Sequence, residues 1–463
     1  MTLDPKDWDA FRASAHKMLD ASIDKLANAN EGRVWTPLPE AEKANIQVDL
    51  PVQGTSTDEM QKQLQSFLPY GVGNTHPRFF GWVHGAGAPT GMMAEIAAAA
   101  MNVNAGGRDH VAPVVERQVL AWSAEMMGMP SSTSGLIVSG TSMATIIALK
   151  VARDQAMGRA KGALVGYTSE QTHSCVAQAF DILGLGRDHL RKITCNDALE
   201  MDISALKAAI AKDKTEGFTP FLIVGTAGAV NMGAIDDLES LADIAADQGM
   251  WFHIDGAFGA TAKIGQHARA RLTGVARADS LAFDFHKWLQ VNYDAGCVLI
   301  RDDAAHRASF SDRPEYLRGA ERGLAGGAFW AVDYGPELSR GFRALKVWAH
   351  LKEHGVAALA AVIDRNIEQA QYLERLVKAS DKLEMLAPVP LNICCFRYKF
   401  DTDNDAQNEE IVVRLQESGI AVPSTTVLGG QLAIRVNLTN HRTRESDLDM
   451  LVDAVIRIGD ELT

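Results

Sequence analysis

The chain has 463 residues, 47% hydrophobic and 22% charged, the balance of an ordinary globular protein of two or three domains. A net charge of −13 argues against nucleic acid or an anionic membrane as a bulk partner, and no apolar run is long enough to span a membrane. The five cysteines show no metal-ligand spacing and read as buried thiols of a reducing compartment; with no apolar signal core near Met1, a cytoplasmic protein is expected.

Residues 1–84 read as a helical amino-terminal arm. Trp8–Asn30 has amphipathic spacing through Phe11, Met18, Leu19, Ile23 and Leu26, after which Pro37, Pro39, Pro51 and Gly54 break regular structure. Such an arm is expected to pack on another chain or on the main domain. The Ala-rich stretch Met92–Met101 predicts a buried or interface helix. Over 85–350, strand and helix alternate. Strands are expected at Gly135–Ser139, Ala163–Gly166, Leu190–Thr194, Phe221–Gly225, Trp251–Asp255, Leu281–Phe283 and Cys297–Arg301. Helices are expected at Ser142–Met157, from about Thr172, at Ser204–Lys212 and at Leu238–Gln248. The alternation predicts an α/β domain with a mostly parallel sheet covered on both faces, and a ligand site outside the carboxyl ends of its strands. Gly323–Gly327 suits a mobile loop. Residues 351–463 read as a small α+β domain, with helices Gly355–Lys378, Ala406–Ser418 and Arg444–Ile458 and strands Leu391–Phe400 and Gln431–Leu438.

The chemistry concentrates at strand ends. In Phe283-Asp-Phe-His-Lys-Trp-Leu289 a lysine follows a buried strand, and its apolar neighbours are expected to lower the pKa of Lys287. Upstream, Asp255 ends the apolar run Trp251–Asp255. An amine and a carboxylate at neighbouring strand ends are what pyridoxal phosphate (PLP) needs: one to bond the cofactor, one to keep its pyridine nitrogen protonated. A carboxylate about 4 Å from that nitrogen is worth about 4 kcal/mol at an effective dielectric near 20. Ala257 is small enough to lie under a flat ring. His173, just past a strand, could stack on the ring's open face. Ser139-Gly-Thr-Ser142 turns from strand to helix, so Thr141 and Ser142 with free backbone N–H groups form an anion seat; Thr226 could add a hydroxyl. Each also has a plain structural reading, as cap, turn or surface residue. His76-Pro-Arg-Phe-Phe-Gly-Trp82 offers one wall of a substrate pocket.

In order and spacing these residues resemble the PLP-dependent group II decarboxylases, the aromatic-L-amino-acid decarboxylase family, over nearly the whole chain. The resemblance implies the fold-type I transferase architecture, with a mostly parallel seven-stranded sheet. It implies Lys287 as the cofactor lysine, Asp255 as partner of the pyridine nitrogen, Ala257 below the ring and His173 above it. Thr141, Ser142, Thr226, Asp284 and His286 fall on positions near the cofactor. Tyr316, in Arg313-Pro-Glu-Tyr316-Leu-Arg318, matches the tyrosine of the catalytic loop. His76, Phe79, Phe80 and Trp82 match a histidine–proline–aromatic segment of the substrate pocket. Three features depart from the family pattern, one of them Thr141, which stands where many relatives have alanine. Asp284 stands where asparagine is usual and would repel a phosphate, so it is expected to point elsewhere. Asn102 and Asn104 replace apolar pocket residues, which pulls toward a polar substrate side chain while the aromatic segment pulls toward an aromatic one. The implied reaction is decarboxylation of an L-amino acid, in a homodimer with the site at the subunit interface. Its rivals are another fold-type I reaction, an aldehyde-forming oxidative decarboxylation, and a PLP-binding protein without turnover.

Overall fold

The computed structural model describes residues 2–312, 319–327 and 329–463. Its centre is a sheet of seven strands: β1 (Ser134–Val138), β2 (Leu164–Ser169), β3 (Leu190–Ile193), β4 (Thr219–Thr226), β5 (Trp251–Asp255), β6 (Ser280–Asp284) and β7 (Gly296–Ile300). They lie in the order β1-β7-β6-β5-β4-β2-β3. β7 is antiparallel to β1 and β6, and the remaining pairs are parallel.

These segments form strands because they are short, β-branched or aromatic, and bounded by turn residues. Helices cover both faces, so the strands read as continuous apolar runs. In β7, Cys297 and Leu299 enter one core cluster while Val298 and Ile300 enter the cluster on the other face.

The second sheet is antiparallel: β8 (Leu383–Met385), β9 (Ile393–Tyr398), β10 (Ser424–Leu428) and β11 (Gln431–Asn437), in the order β10-β11-β9-β8. Its core is separate and includes Phe396, Val436 and Leu451. A helix at Arg343–Lys378 joins the two units and runs straight across residue 350. It breaks at Gly355, whose φ of 73° suits glycine alone among common residues. β11 reaches back through buried Arg435, which donates to the Val230 carbonyl oxygen at 3.0 Å.

Several expectations shift. The stretch after residue 30 holds two short helices, Glu40–Ile46 and Thr57–Ser66, the second closed by a capping box between Ser56 and Glu59. A further helix spans Val111–Met127, with Pro113 in its first turn, a position where proline is tolerated. The glycine-rich patch is tied down at two points. The Asp109 amide donates to the Leu324 carbonyl at 2.9 Å, and Trp330 Nε1 to that of Gly326 at 3.2 Å.

Candidate active site

Sheet register brings the strand-end residues together. Thr226 of β4 is level with Asp255 of β5, and Asp255 with Ala282 of β6. On the other side Asp284 of β6 pairs with Gly296 of β7, and Gly296 with Val138 of β1. The turn after β1 and the lysine loop after β6 therefore leave the sheet side by side. Gly296 permits this closeness: a Cβ there would lie 2.5 Å from Gly140 Cα and 2.7 Å from Asp284 Oδ1.

Above these ends lies a cavity of about 410 Å³. Thr141, Ser142, His173, Thr226, Asp255, Ala257, Asp284, His286, Lys287 and Trp82 all line it. Asp255 is 4% exposed. Burial raises its carboxyl above the usual carboxylate range, and Lys287 and His173 partly offset this. The His173 Nδ1 accepts the Cys175 amide at 3.2 Å. The Thr226 amide donates to Asp236 at 2.7 Å, and its hydroxyl lies 3.0 Å from that of Thr172.

Asp284 does not point elsewhere. Its Oδ1 accepts the Thr141 amide at 2.7 Å, and its Oδ2 lies 2.9 Å from Lys287 Nζ. The expected fall in the Lys287 pKa is also reversed. Burial alone would lower it, but the adjacent Asp284 carboxylate outweighs burial and holds the ammonium above its ordinary value. The apolar neighbours of Lys287 favour a lower pKa, but Asp284, three residues before it at the end of β6, turns its carboxylate toward the amine. His286 is fixed by Nδ1, 3.0 Å from the Ala295 carbonyl oxygen, and its ring packs on Tyr293 with centroids 4.3 Å apart. Burial lowers its pKa.

The pocket-wall expectations divide. Trp82 lines the cavity, but Phe80 is 1% exposed in the core of the small domain and Phe79 packs with Val34 and Val422. His76 is buried beside them, its Nδ1 accepting the Arg78 amide at 3.1 Å. Asn102 is an exposed left-handed helix cap. Asn104 staples its own loop: Oδ1 accepts the amides of Gly106 at 3.0 Å and Arg340 at 2.9 Å. Neither asparagine lines this cavity within one chain. Tyr316 lies outside the described residues. Val83, Met143, Cys175, Gly228, Val230, Phe258 and Tyr293 also line the cavity and were not expected there from sequence. Tyr293 had a signal, an aromatic group six residues beyond Lys287 in the same inter-strand loop; the others come together only through the fold.

The donor set fits PLP. A lysine and a buried carboxylate face one cavity, and the Thr141 hydroxyl is buried at a helix N-terminus without a hydrogen-bond partner, as an anion seat requires. The counter-feature is Asp284, whose carboxylate already takes the Thr141 amide.

Comparison with known proteins agrees. Residues 39–399 match the pyridoxal-dependent decarboxylase conserved domain. An aromatic-L-amino-acid decarboxylase of Bacillus atrophaeus is 36% identical over 87% of this chain and 86% of its own length. Tryptophan decarboxylase 2 of rice (Oryza sativa subsp. japonica) is 30% identical over 96% of this chain and 94% of its own. The crystal structure of Oryza sativa TDC with PLP and tryptamine superimposes with a TM-score of 0.91 at 26% identity, covering 100% of both chains. The chain belongs to the pyridoxal-dependent decarboxylase family, as an amino-acid decarboxylase whose cofactor is PLP.

Proposed function

We propose that the substrate is an L-amino acid with an aromatic side chain, converted to its amine and carbon dioxide. The observation that carries this is the cavity wall: Trp82, Val83, Met143, Phe258 and Tyr293 face the same space as Lys287 and Asp255, while Asn102 and Asn104 stay outside it. A flat apolar side chain covers such a wall, whereas a carboxylate or amide would lose its water without a partner there.

The cofactor supplies, when bound, the electron sink that accepts the bonding pair as carbon dioxide leaves. The protein's residues prepare for that. Lys287 would anchor the group through Nζ, and Asp255 would hold a proton on its ring nitrogen. His173 would lie against the ring, Ala257 would leave room beneath it, and Thr141, Ser142 and His286 would meet the phosphate. Asp284 steadies Lys287 as an ammonium whenever its amine is free, so the lysine can return a proton to the departing product. By family resemblance Tyr316 protonates the substrate carbon.

The working unit in this reading is a cytoplasmic homodimer. Large apolar side chains stand exposed along the arm and the helices that follow it, among them Trp8, Leu50, Val52, Met93 and Val114. Such exposed apolar side chains are available to a second copy of the chain. The five free cysteines, four of them buried, suit a reducing compartment.

The test is an L-amino-acid panel with amine, carbon dioxide, keto acid, aldehyde and peroxide all measured. Tryptophan, tyrosine or dihydroxyphenylalanine should give amine and carbon dioxide in equal amounts, and sedimentation at assay concentration should give the mass of two chains. Preference for glutamate or aspartate would sink the aromatic reading. Stoichiometric keto acid would indicate transamination, and aldehyde with peroxide oxidative decarboxylation.

A further inference from the structure

A second cavity, of about 540 Å³, lies where the Val111–Met127 helix, the short helix Gly259–Ile264 and the Arg343–Lys378 helix meet. None of its lining residues belongs to the catalytic cavity. Its wall is apolar, through Trp122, Met126, Ile264, Leu351 and Val356, yet Lys263, Arg269 and Lys352 also line it against a single acid, Glu125.

Two of these cations, Lys263 and the exposed Arg269, are poorly matched. Lys263 is half-buried, and its Nζ donates to the Leu272 carbonyl oxygen at 3.0 Å. Arg269 donates to the carbonyl oxygens of Gly265 at 3.1 Å and Ile264 at 3.0 Å. Among the described residues neither has a carboxylate within ion-pair distance. Burial holds the Lys263 ammonium below its ordinary pKa, the direction an arriving anion would reverse.

A purely apolar guest would desolvate Lys263 without pairing it, and an inorganic anion would leave Trp122 and Met126 uncovered. A carboxylate head on a ring or short alkyl body answers both demands, and the volume falls in the ordinary range for small-molecule sites. The cavity also touches two segments connected to the catalytic cavity and the small domain. Gly259–Ile264 continues directly from the segment bearing Asp255, Ala257 and Phe258. Val356 follows the helix break at Gly355, which leads into the small domain.

We propose that this cavity is an effector site for a small apolar monocarboxylate, whose binding alters turnover at the catalytic cavity through the Gly259–Ile264 turn.

The test uses the holoenzyme and octanoate, followed by tryptophan fluorescence and by steady-state kinetics at saturating substrate. Octanoate should bind saturably and change kcat, and 1-octanol should bind far more weakly. Lys263→Met should weaken octanoate by at least about tenfold, the loss of one charge-assisted contact. Lys352→Glu, at an exposed position, should weaken it in the same direction. Both variants should keep the wild-type cofactor absorbance, and Lys352→Glu the wild-type basal kcat. No saturable binding, equal binding of 1-octanol, binding that leaves kcat unchanged, or an effect confined to KM that survives in both variants would each overturn the proposal. So would a cavity covered by a second copy of the chain.

Discussion

Asp284 joins three parts of the site through one carboxylate: the amide at the start of the Thr141–Met157 helix, the Lys287 ammonium and, at 3.7 Å, His286 Nε2. Because it is the cause of the raised Lys287 pKa, its removal has a definite sign. Asp284→Asn keeps the size and loses the charge, so the lysine becomes a free amine at lower pH. The rate at which pyridoxal, lacking the phosphate, is captured and trapped by borohydride should rise with pH in both proteins. In the variant that rise should come earlier by about one to three pH units, the usual effect of one close opposite charge. Coincident profiles would show that Asp284 does not set the lysine's protonation. At this scale the sequence was informative where chemistry is local. Lys287, Asp255 and the Gly140 turn are strand-end residues, and such ends were recognisable from where apolar runs stop. The contact of Asp284 with Thr141 spans 143 residues and depends on β7 lying between β1 and β6, which no local pattern announces.

The elements are held in register by buried polar joints as well as by apolar packing. Arg340 and Glu116 form a two-pronged ion pair at 2.7 and 2.8 Å, both side chains 2% exposed. The same Glu116 accepts the Ile137 amide of β1 at 2.9 Å, and Arg340 donates to the Ala105 carbonyl oxygen at 3.1 Å. One pair thus ties the Val111–Met127 helix, the first strand and the loop after Met101. Arg340→Met leaves Glu116 buried and unpaired, and should lower stability by about 3–5 kcal/mol, read as a shift in urea midpoint. A shift of less than about 1 kcal/mol would mean that water reaches Glu116 in the variant. Long elements with a steady period, such as Leu238–Gln248, matched expectation to the residue. β8 and β10 escaped notice because they are short and borrow their pairing from β9 and β11. The helices at Glu40–Ile46 and Thr57–Ser66 form among Pro37, Pro39, Pro51 and Gly54, residues that ordinarily break regular structure, and the second starts on its capping box.

Across the molecule, burial has neutralised many imidazoles. It holds His253 at about 3, and His76, His306, His350 and His441 at about 4. Unfolded, each would take a proton near pH 6.5. The unfolded chain therefore binds more protons between those values, so stability is full above pH 6.5 and is lost as pH falls toward 4. Asp236 acts the other way. Burial raises it to about 6, and its contribution is fully present only near pH 4 and below, fading as pH rises through 6. Seven lowered histidines, His84 and His286 included, against three raised aspartates, Asp236, Asp255 and Asp279, set the net sign. The urea midpoint should drop between pH 6.5 and 5 more steeply than a single proton allows, and a flat profile there would contradict the burial of these rings.

The arm is bound to the far end of the chain. Phe79 bridges to Val422, Phe80 sits in the core of the small domain, and Arg78 donates to the Ile420 carbonyl oxygen across 342 residues of sequence. During synthesis these aromatic side chains emerge early, and their seat emerges almost last. For most of translation they are apolar groups without a destination, and the arm must be kept from other partners until the small domain arrives to receive it.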